Sequence, residues 1–401
     1  MEQSPSAALH HLLRASHLAG PDDLPALTQQ AAGLLGAMRG TLYLADYEQT
    51  RLVPLSGAEE SADELSVEST LAGRTFREVA RHITSTPEAV VLWLPVLDGT
   101  ERLGTLELVF PAGTDLQRRA RADDCEDVAA MLAELVITRS MYGDLVEITR
   151  RQLPMTLPAE LQWNLLPPLT FATPAVAITG NLAPTNEVAG DSFDYALDGD
   201  VLHLAIVDAM GHGLEAALLS TVAVAALRNG RRSGLELADL ARSIDRHISA
   251  QFRDDRFVTA ILAELDWRTG TYRWLTAGHP PAVLLRKGRA VKQLMSGVHP
   301  PLGLLPLGDQ PLQPAEERLE PGDRLLLYTD GVVEARSATG EFFGFDRLVD
   351  FLVREALGDR PLPETMRRLS AAVLAHQEGA LDDDATTVLV EWSGDVSRLL
   401  P

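Results

Sequence analysis

Four aspartates in the second half of the chain share one local setting, each following an apolar run and preceding small residues. They are Asp191 in EVAGDSFDYA, Asp208 in AIVDAMGHG, Asp330 in LLLYTDGVVEA and Asp383 in LDDDATTVLVEW. A strand end is a rigid mount for a side chain, and glycine beside it lets a metal ion, water or phosphate approach the backbone closely. Any one of these alone reads first as a turn; four of them together read less well that way. Carboxylates gathered about 5 Å apart would repel by roughly 3 kcal/mol per pair at an effective dielectric near 20. Four of them, left without cations, would cost on the order of 15–20 kcal/mol or take up protons. Two divalent cations would neutralise the cluster. Oxygen ligands select Mg²⁺ or Mn²⁺ rather than zinc, which favours His and Cys.

Other residues have two readings each. Ala209-Met210-Gly211-His212-Gly213 links the Asp208 strand to an Ala/Leu-rich helix. His212 reads either as a capping or packing residue, or as a proton donor to a leaving alkoxide. His279, in AGHPP, reads as part of a rigid turn on the core side. Asp194 and Asp384 lie close to the four aspartates in sequence and read as supporting groups, an accessory metal site or solvated acids. Asp382 reads as surface. Cys125 sits in a helix-like run with no phosphate-binding cysteine loop around it, a poor setting for a nucleophile.

Composition excludes several classes. At 401 residues and 43.5 kDa, two domains are expected. A net charge of −22 disfavours nucleic acid or an anionic membrane as partner, since phosphate binding needs clustered cations. A single cysteine allows no internal disulfide and points to a cytoplasmic setting. No signal peptide and no membrane-inserting run is read from the sequence.

The elements that must position the aspartates follow from periodicity. Residues 8–37 read as helical. Strands follow at TLYLADYE and TRLVPL, then AVVLWLPVLDGT and ERLGTLELVF make a hairpin through Asp98-Gly99-Thr100. Residues 123–152 read as one long helix, with Val128, Met131, Leu135, Tyr142 and Leu145 near heptad positions. It serves either as a connecting stalk or as an ordinary helix packed on its own domain. Pro154, Pro158, Pro167 and Pro168 mark a boundary. Beyond it, strands alternate with hairpin turns at 266–270 and at Lys287-Gly288. Helices are expected over 213–229, 236–252, 345–356 and 363–376. The fold class is α+β.

In order along the chain, AGDSFD, VDAMGHGLEAALL, TAGHPPAVLL, YTDGVVEAR and DDATTVLV resemble the PPM-type (protein phosphatase 2C-like) metal-dependent serine/threonine phosphatases. The match is best to the SpoIIE/RsbU-like branch and covers about 160–393, including the lead-in AELQWNLLPP. The resemblance implies an α/β/β/α sandwich of two antiparallel sheets flanked by helices, with two Mn²⁺ or Mg²⁺ at one end. It implies that Asp191 and Asp208 hold the metal pair, Asp208 bridging, with the backbone carbonyl of Ala209 completing one shell and Asp330 and Asp383 on the other ion. The reaction implied is hydrolysis of phosphoserine or phosphothreonine by water activated between metals, without a covalent phosphoenzyme. One departure is Ala189, where the family has a second glycine.

Residues 1–122 resemble a GAF sensor domain by pattern, so the expected organisation is that domain, a connecting segment at 123–158 and a phosphatase domain at 159–401. His10, His11 and His17 read as surface, with no haem or metal in this half. The resemblance implies a phosphorylated anti-anti-sigma (STAS-type) protein as substrate, a small-molecule or protein signal at the GAF-like domain, and a homodimer. The alternatives are a catalytically silent scaffold of the same fold and a phosphatase for a small phosphoester.

Overall fold

The computed structural model describes residues 6–56, 62–116, 119–183, 190–252, 255–308, 310–356, 358, 360–377 and 384–394. It divides into two compact units, Met1–Pro154 and Met155–Pro401.

The first unit is built on one antiparallel sheet with strand order Leu65–Ser66, Arg51–Pro54, Arg39–Ala45, Glu101–Pro111, Ala89–Asp98 and His82–Ser85. Strand alternation sends Leu42, Leu44, Leu92, Leu94, Leu106 and Leu108 to one face, under helices Ser6–Ala15, Leu24–Leu34 and Arg119–Ser140. Tyr43, Leu52 and Trp93 face the other way, with Phe76 of helix Leu71–Glu78. That helix is one the periodicity does not announce; Thr70 caps it by accepting the Gly73 N–H at 3.0 Å.

Two helical expectations here are corrected. The 8–37 run is two helices, because Gly20-Pro21 interrupts it and Pro21 starts a short 3₁₀ turn, Pro21–Asp23. The 123–152 run is also two helices, Arg119–Ser140 and Leu145–Arg150. The break holds Gly143, which packs so tightly on Pro21 that a Cβ there would lie 2.9 Å from the proline ring. Of the heptad positions, Val128 and Leu135 are buried in this unit's own core, whereas Tyr142 is 74% exposed. The helix therefore belongs to its own domain.

The second unit is a sandwich. One antiparallel sheet runs Ala315–Arg318, Thr271–Ala277, Val258–Asp266, Val201–Ala209, Asp191–Asp198. The other runs Arg289–Leu294, Ala282–Arg286, Asp323–Tyr328, Ala385–Trp392, Val176–Ala183, Thr170–Ala172. Helices Gly213–Arg232 and Leu237–Gln251 cover the first sheet, and Phe345–Ala356 and Leu362–His376 the second. This is the expected α/β/β/α arrangement of mixed α+β class, and all four helices begin and end within three residues of the expected limits.

Period-2 alternation decides which side chains enter the space between the sheets. Along Val201–Ala209, Leu202, Leu204 and Ile206 point into that space, while Ala205, Val207 and Ala209 point to the helices. Asp208 shares the inward parity, as do Asp191 with Phe193, Thr329 with Leu325 and Leu327, and Thr386 with Val388 and Val390. At the opposite end of the same strands, Trp392 Nε1 donates to the Trp267 carbonyl at 2.7 Å, and Trp267 Nε1 to that of Gly199 at 3.1 Å.

Candidate metal centre

Asp191 opens its strand and Asp208 is the last residue but one of the next, and the antiparallel register sets them directly opposite each other. Side chains so paired start from Cβ atoms about 4.5–5.5 Å apart. Thr259, opposite Asp208 on the following strand, extends the row. Asp191 is 2% exposed. Burial, then the charges of Asp208 and Asp384, push its carboxyl well above the usual range, and a hydrogen bond from Thr329 offsets part of this. The carboxylates of the row therefore repel one another.

The second sheet closes over this pair. The buried Thr329 donates its hydroxyl proton to Asp191 Oδ2 at 2.6 Å and accepts the Thr386 N–H at 3.0 Å. It stands at the N-cap of the short helix Asp330–Val333, yet its hydroxyl serves Asp191 and caps nothing. Asp384 Oδ2 accepts the N–H groups of Gly190 and Asp191 at 2.7 and 3.1 Å, fixing the backbone that carries Asp191. Gly331 lies so close to Asp384 that a Cβ would sit 1.9 Å from its carbonyl oxygen. Only glycine lets the Asp330 helix approach the start of strand Ala385–Trp392 this closely. Asp330 itself is exposed. On the other side, the Ala209 carbonyl lies over Gly190, where an added Cβ would be 2.8 Å from it.

Asp383 and Ala189 lie outside the described residues, as does Asp382. Among the described residues, no three His, Cys, Asp or Glu side chains form a finished metal-ligand set. What is present fits a hard divalent cation in kind: paired carboxylates, a carbonyl over a glycine, and an Asp191 carboxyl crowded by its neighbours.

Behind Asp208 runs a further chain of contacts. Thr259 Oγ1 is 3.5 Å from Asp208 Oδ2 and 2.7 Å from His279 Nδ1, and His279 Nε2 is 3.1 Å from the Tyr328 carbonyl. His279 is 6% exposed, and burial pushes it down to about 4, so it is neutral at pH 7. The lead-in helix Leu157–Leu165 also reaches the site: buried Gln162 donates its side-chain N–H to the Asp191 carbonyl, and Gln162 Oε1 has no partner among the described residues.

Asp194 faces the other way. Three residues after Asp191, it falls on the helix side of the sheet, where Arg228 and Arg231 hold it at 2.7 Å each. His212 stands exposed at the N-cap of Gly213–Arg232 and makes no side-chain cap bond. The buried Cys125 thiol is pushed up to about 12, as expected of a poor nucleophile.

Sequence reasoning missed Thr329, Thr259 and Gln162. Thr259 left a signal, since it is a polar residue at the inward parity of an apolar strand that also sends Ile261, Ala263 and Leu265 inward. Gln162 left none beyond its place in the lead-in.

Residues 198–393 match the family model described as Stage II sporulation protein E (SpoIIE). That span contains Asp208, Asp330 and Asp383 and begins after Asp191. The chain is 29% identical over 214 residues to phosphoserine phosphatase RsbP of Bacillus subtilis, covering 52% of this chain and 50% of that one. It is 22% identical over 232 residues to phosphoserine phosphatase RsbU of the same organism, covering 58% and 68%. A solved structure of the RsbU and RsbW domains of Rv1364c from Mycobacterium tuberculosis is 26% identical, with TM-score 0.49, covering 56% and 62% of the two chains. The chain spans half of the RsbP length that it matches. No helix among the described residues is long and apolar enough to cross a membrane. Over residues 198–393 the C-terminal unit of this chain is similar to SpoIIE-type domains, and the relatives it resembles there include two named phosphoserine phosphatases.

Proposed function

We propose that the protein is a metal-dependent phosphatase for phosphoserine or phosphothreonine on a regulatory protein, with an anti-anti-sigma (STAS-type) factor as substrate. The observation that carries this reading is the cross-strand pair of buried Asp191 and half-buried Asp208 at one end of the sandwich, roofed by Thr329 and Asp384. The names of the relatives, phosphoserine phosphatases RsbP and RsbU, support the phosphoserine part. Asp191, Asp208 and the Ala209 carbonyl would hold one side of a pair of Mn²⁺ or Mg²⁺ ions, and Asp330 and Asp383 the other. Bound there, the ions supply Lewis acidity, which acidifies water and neutralises charge on the phosphoryl group.

The chain's own groups prepare that site. Thr329 orients Asp191, and Asp384 fixes its backbone. His212, exposed at the head of its helix, is the residue proposed to protonate the leaving alkoxide. We read Met1–Pro154 as a GAF-like sensor that answers a small-molecule or protein signal, and the protein as a cytoplasmic homodimer. Gln162 supports a regulatory route, because movement of the lead-in helix would be felt at the Asp191 carbonyl.

Phosphate release from a phosphorylated STAS-domain protein tests this, with and without Mn²⁺, for wild type and Asp208→Asn. Release that needs Mn²⁺ and collapses by about 10²-fold or more in the variant is the expected result. Release only from small phosphoesters would move the substrate class, and no release with any metal would favour a silent scaffold.

A further inference from the structure

The contacts behind Asp208 contain a proton count that constrains them. The Tyr328 carbonyl can only accept, so His279 Nε2 carries a proton. The neutral ring then has no proton on Nδ1, which accepts from Thr259. Thr259 has one proton to give, and the 2.7 Å contact to His279 claims it over the 3.5 Å contact to Asp208. The oxygen lone pairs of Thr259 are left facing Asp208 Oδ2.

Resting on the metal-centre reading above, we infer that His279 is a positioning residue. It commits the Thr259 proton to its own ring, so that Thr259 and Asp208 together present oxygen lone pairs suited to a cation. Without His279, the Thr259 hydroxyl would turn its proton onto Asp208, where it would compete with a cation for Oδ2. The neutral imidazole thus biases the row toward the cation-bound state while touching neither cation nor substrate.

The test is a calorimetric Mn²⁺ titration of the full chain and its variants, with metal-free melting curves as the folding control. His279→Leu is expected to weaken Mn²⁺ binding about tenfold, the lower end of what a lost supporting partner costs. His279→Asn puts an acceptor near the Nδ1 position and is expected to bind within about twofold of wild type. Adding Thr259→Val to His279→Leu removes the freed proton, and affinity is expected to return to that of Thr259→Val alone. Additive losses in the double variant, or equal losses in His279→Asn and His279→Leu, overturn the inference. Should His279→Leu fail to fold, His279→Gln replaces it: its amide extends toward Nε2 and leaves Thr259 unsatisfied, so Gln binding as well as Asn overturns the inference. A wild type that binds no Mn²⁺ overturns the metal-centre reading as well; wild-type binding with an unaffected His279→Leu overturns this inference alone.

Discussion

Asp191 is held in a state that a stability-seeking sequence would avoid. Burial and two neighbouring carboxylates raise its carboxyl, and Thr329 relieves only part of that strain. Asp191→Asn keeps an acceptor for Thr329 and removes one charge from the row. It is expected to raise the metal-free melting temperature, by an amount worth about 1–2 kcal/mol, while abolishing Mn²⁺ binding. A lower melting temperature with binding intact would contradict this account of the site. His279 gives a second residue-scale prediction. Its folded value, about 4, lies below the ordinary 6.5, so below pH 6.5 the unfolded chain takes up a proton that the folded chain refuses. This contribution is absent above pH 6.5 and grows as pH falls toward 4, reaching about 3 kcal/mol of lost stability. Metal-free melts of wild type and His279→Asn are expected to diverge across that window, the variant losing less.

At the scale of elements, two contacts set how strands and helices meet at the site. Asp194 is 3% exposed and shared by Arg228 and Arg231, which clamps helix Gly213–Arg232 onto strand Asp191–Asp198. Asp194→Ala leaves two arginines facing a buried gap and is expected to cost about 3–5 kcal/mol in stability. Because Asp194 lies on the face away from Asp191, Mn²⁺ affinity of the folded variant should be unchanged; a large loss of affinity would revive the accessory-metal reading. Gly331→Ala must drive its Cβ into the Asp384 carbonyl. It is expected to cost about 1–3 kcal/mol and, unlike Asp194→Ala, to weaken Mn²⁺ binding by displacing Asp330.

Much of this scale was legible in the sequence. The four large helices and the hairpin turns follow from periodicity and from turn residues, which act locally. Which face Asp194 takes also follows from the period of 2, once the strand is placed. The breaks at Gly20-Pro21 and Gly143 were harder, because an apolar pattern continues across each and only the glycine or proline argues against it. Thr329 and Gln162 were out of reach. Each acts on Asp191 across more than 25 residues of chain, and no local pattern encodes such a contact.

For the molecule as a whole, the two units carry separate cores, which determines where the chain can be cut. Helix Arg119–Ser140 supplies Val128, Leu132, Leu135 and Val136 to the first core. A fragment starting at residue 123 would expose most of that apolar face, whereas one starting at 155 would not. The 155–401 fragment is expected to be soluble and to bind Mn²⁺, and the 123–401 fragment to aggregate, as size-exclusion chromatography would report. The converse result would move the working boundary to the N-terminal side of that helix.

The pair of indoles clasping the closed end of the sandwich has an optical consequence. Trp392 and Trp267 lie about 20 Å along the strands from Thr386, at roughly 3.3 Å per residue. Both are held in buried, hydrogen-bonded surroundings, and Trp274 is buried between the sheets as well. Their emission therefore reports on the integrity of that end and is indifferent to what happens among the aspartates. Trp163 is different, because it adjoins Gln162, whose side chain touches Asp191. In a titration followed by total tryptophan fluorescence, the response of Trp163 would be diluted by four tryptophans that do not report on the site. With the other four tryptophans replaced by phenylalanine, the signal from Trp163 alone becomes an optical gauge of the lead-in helix as the site fills.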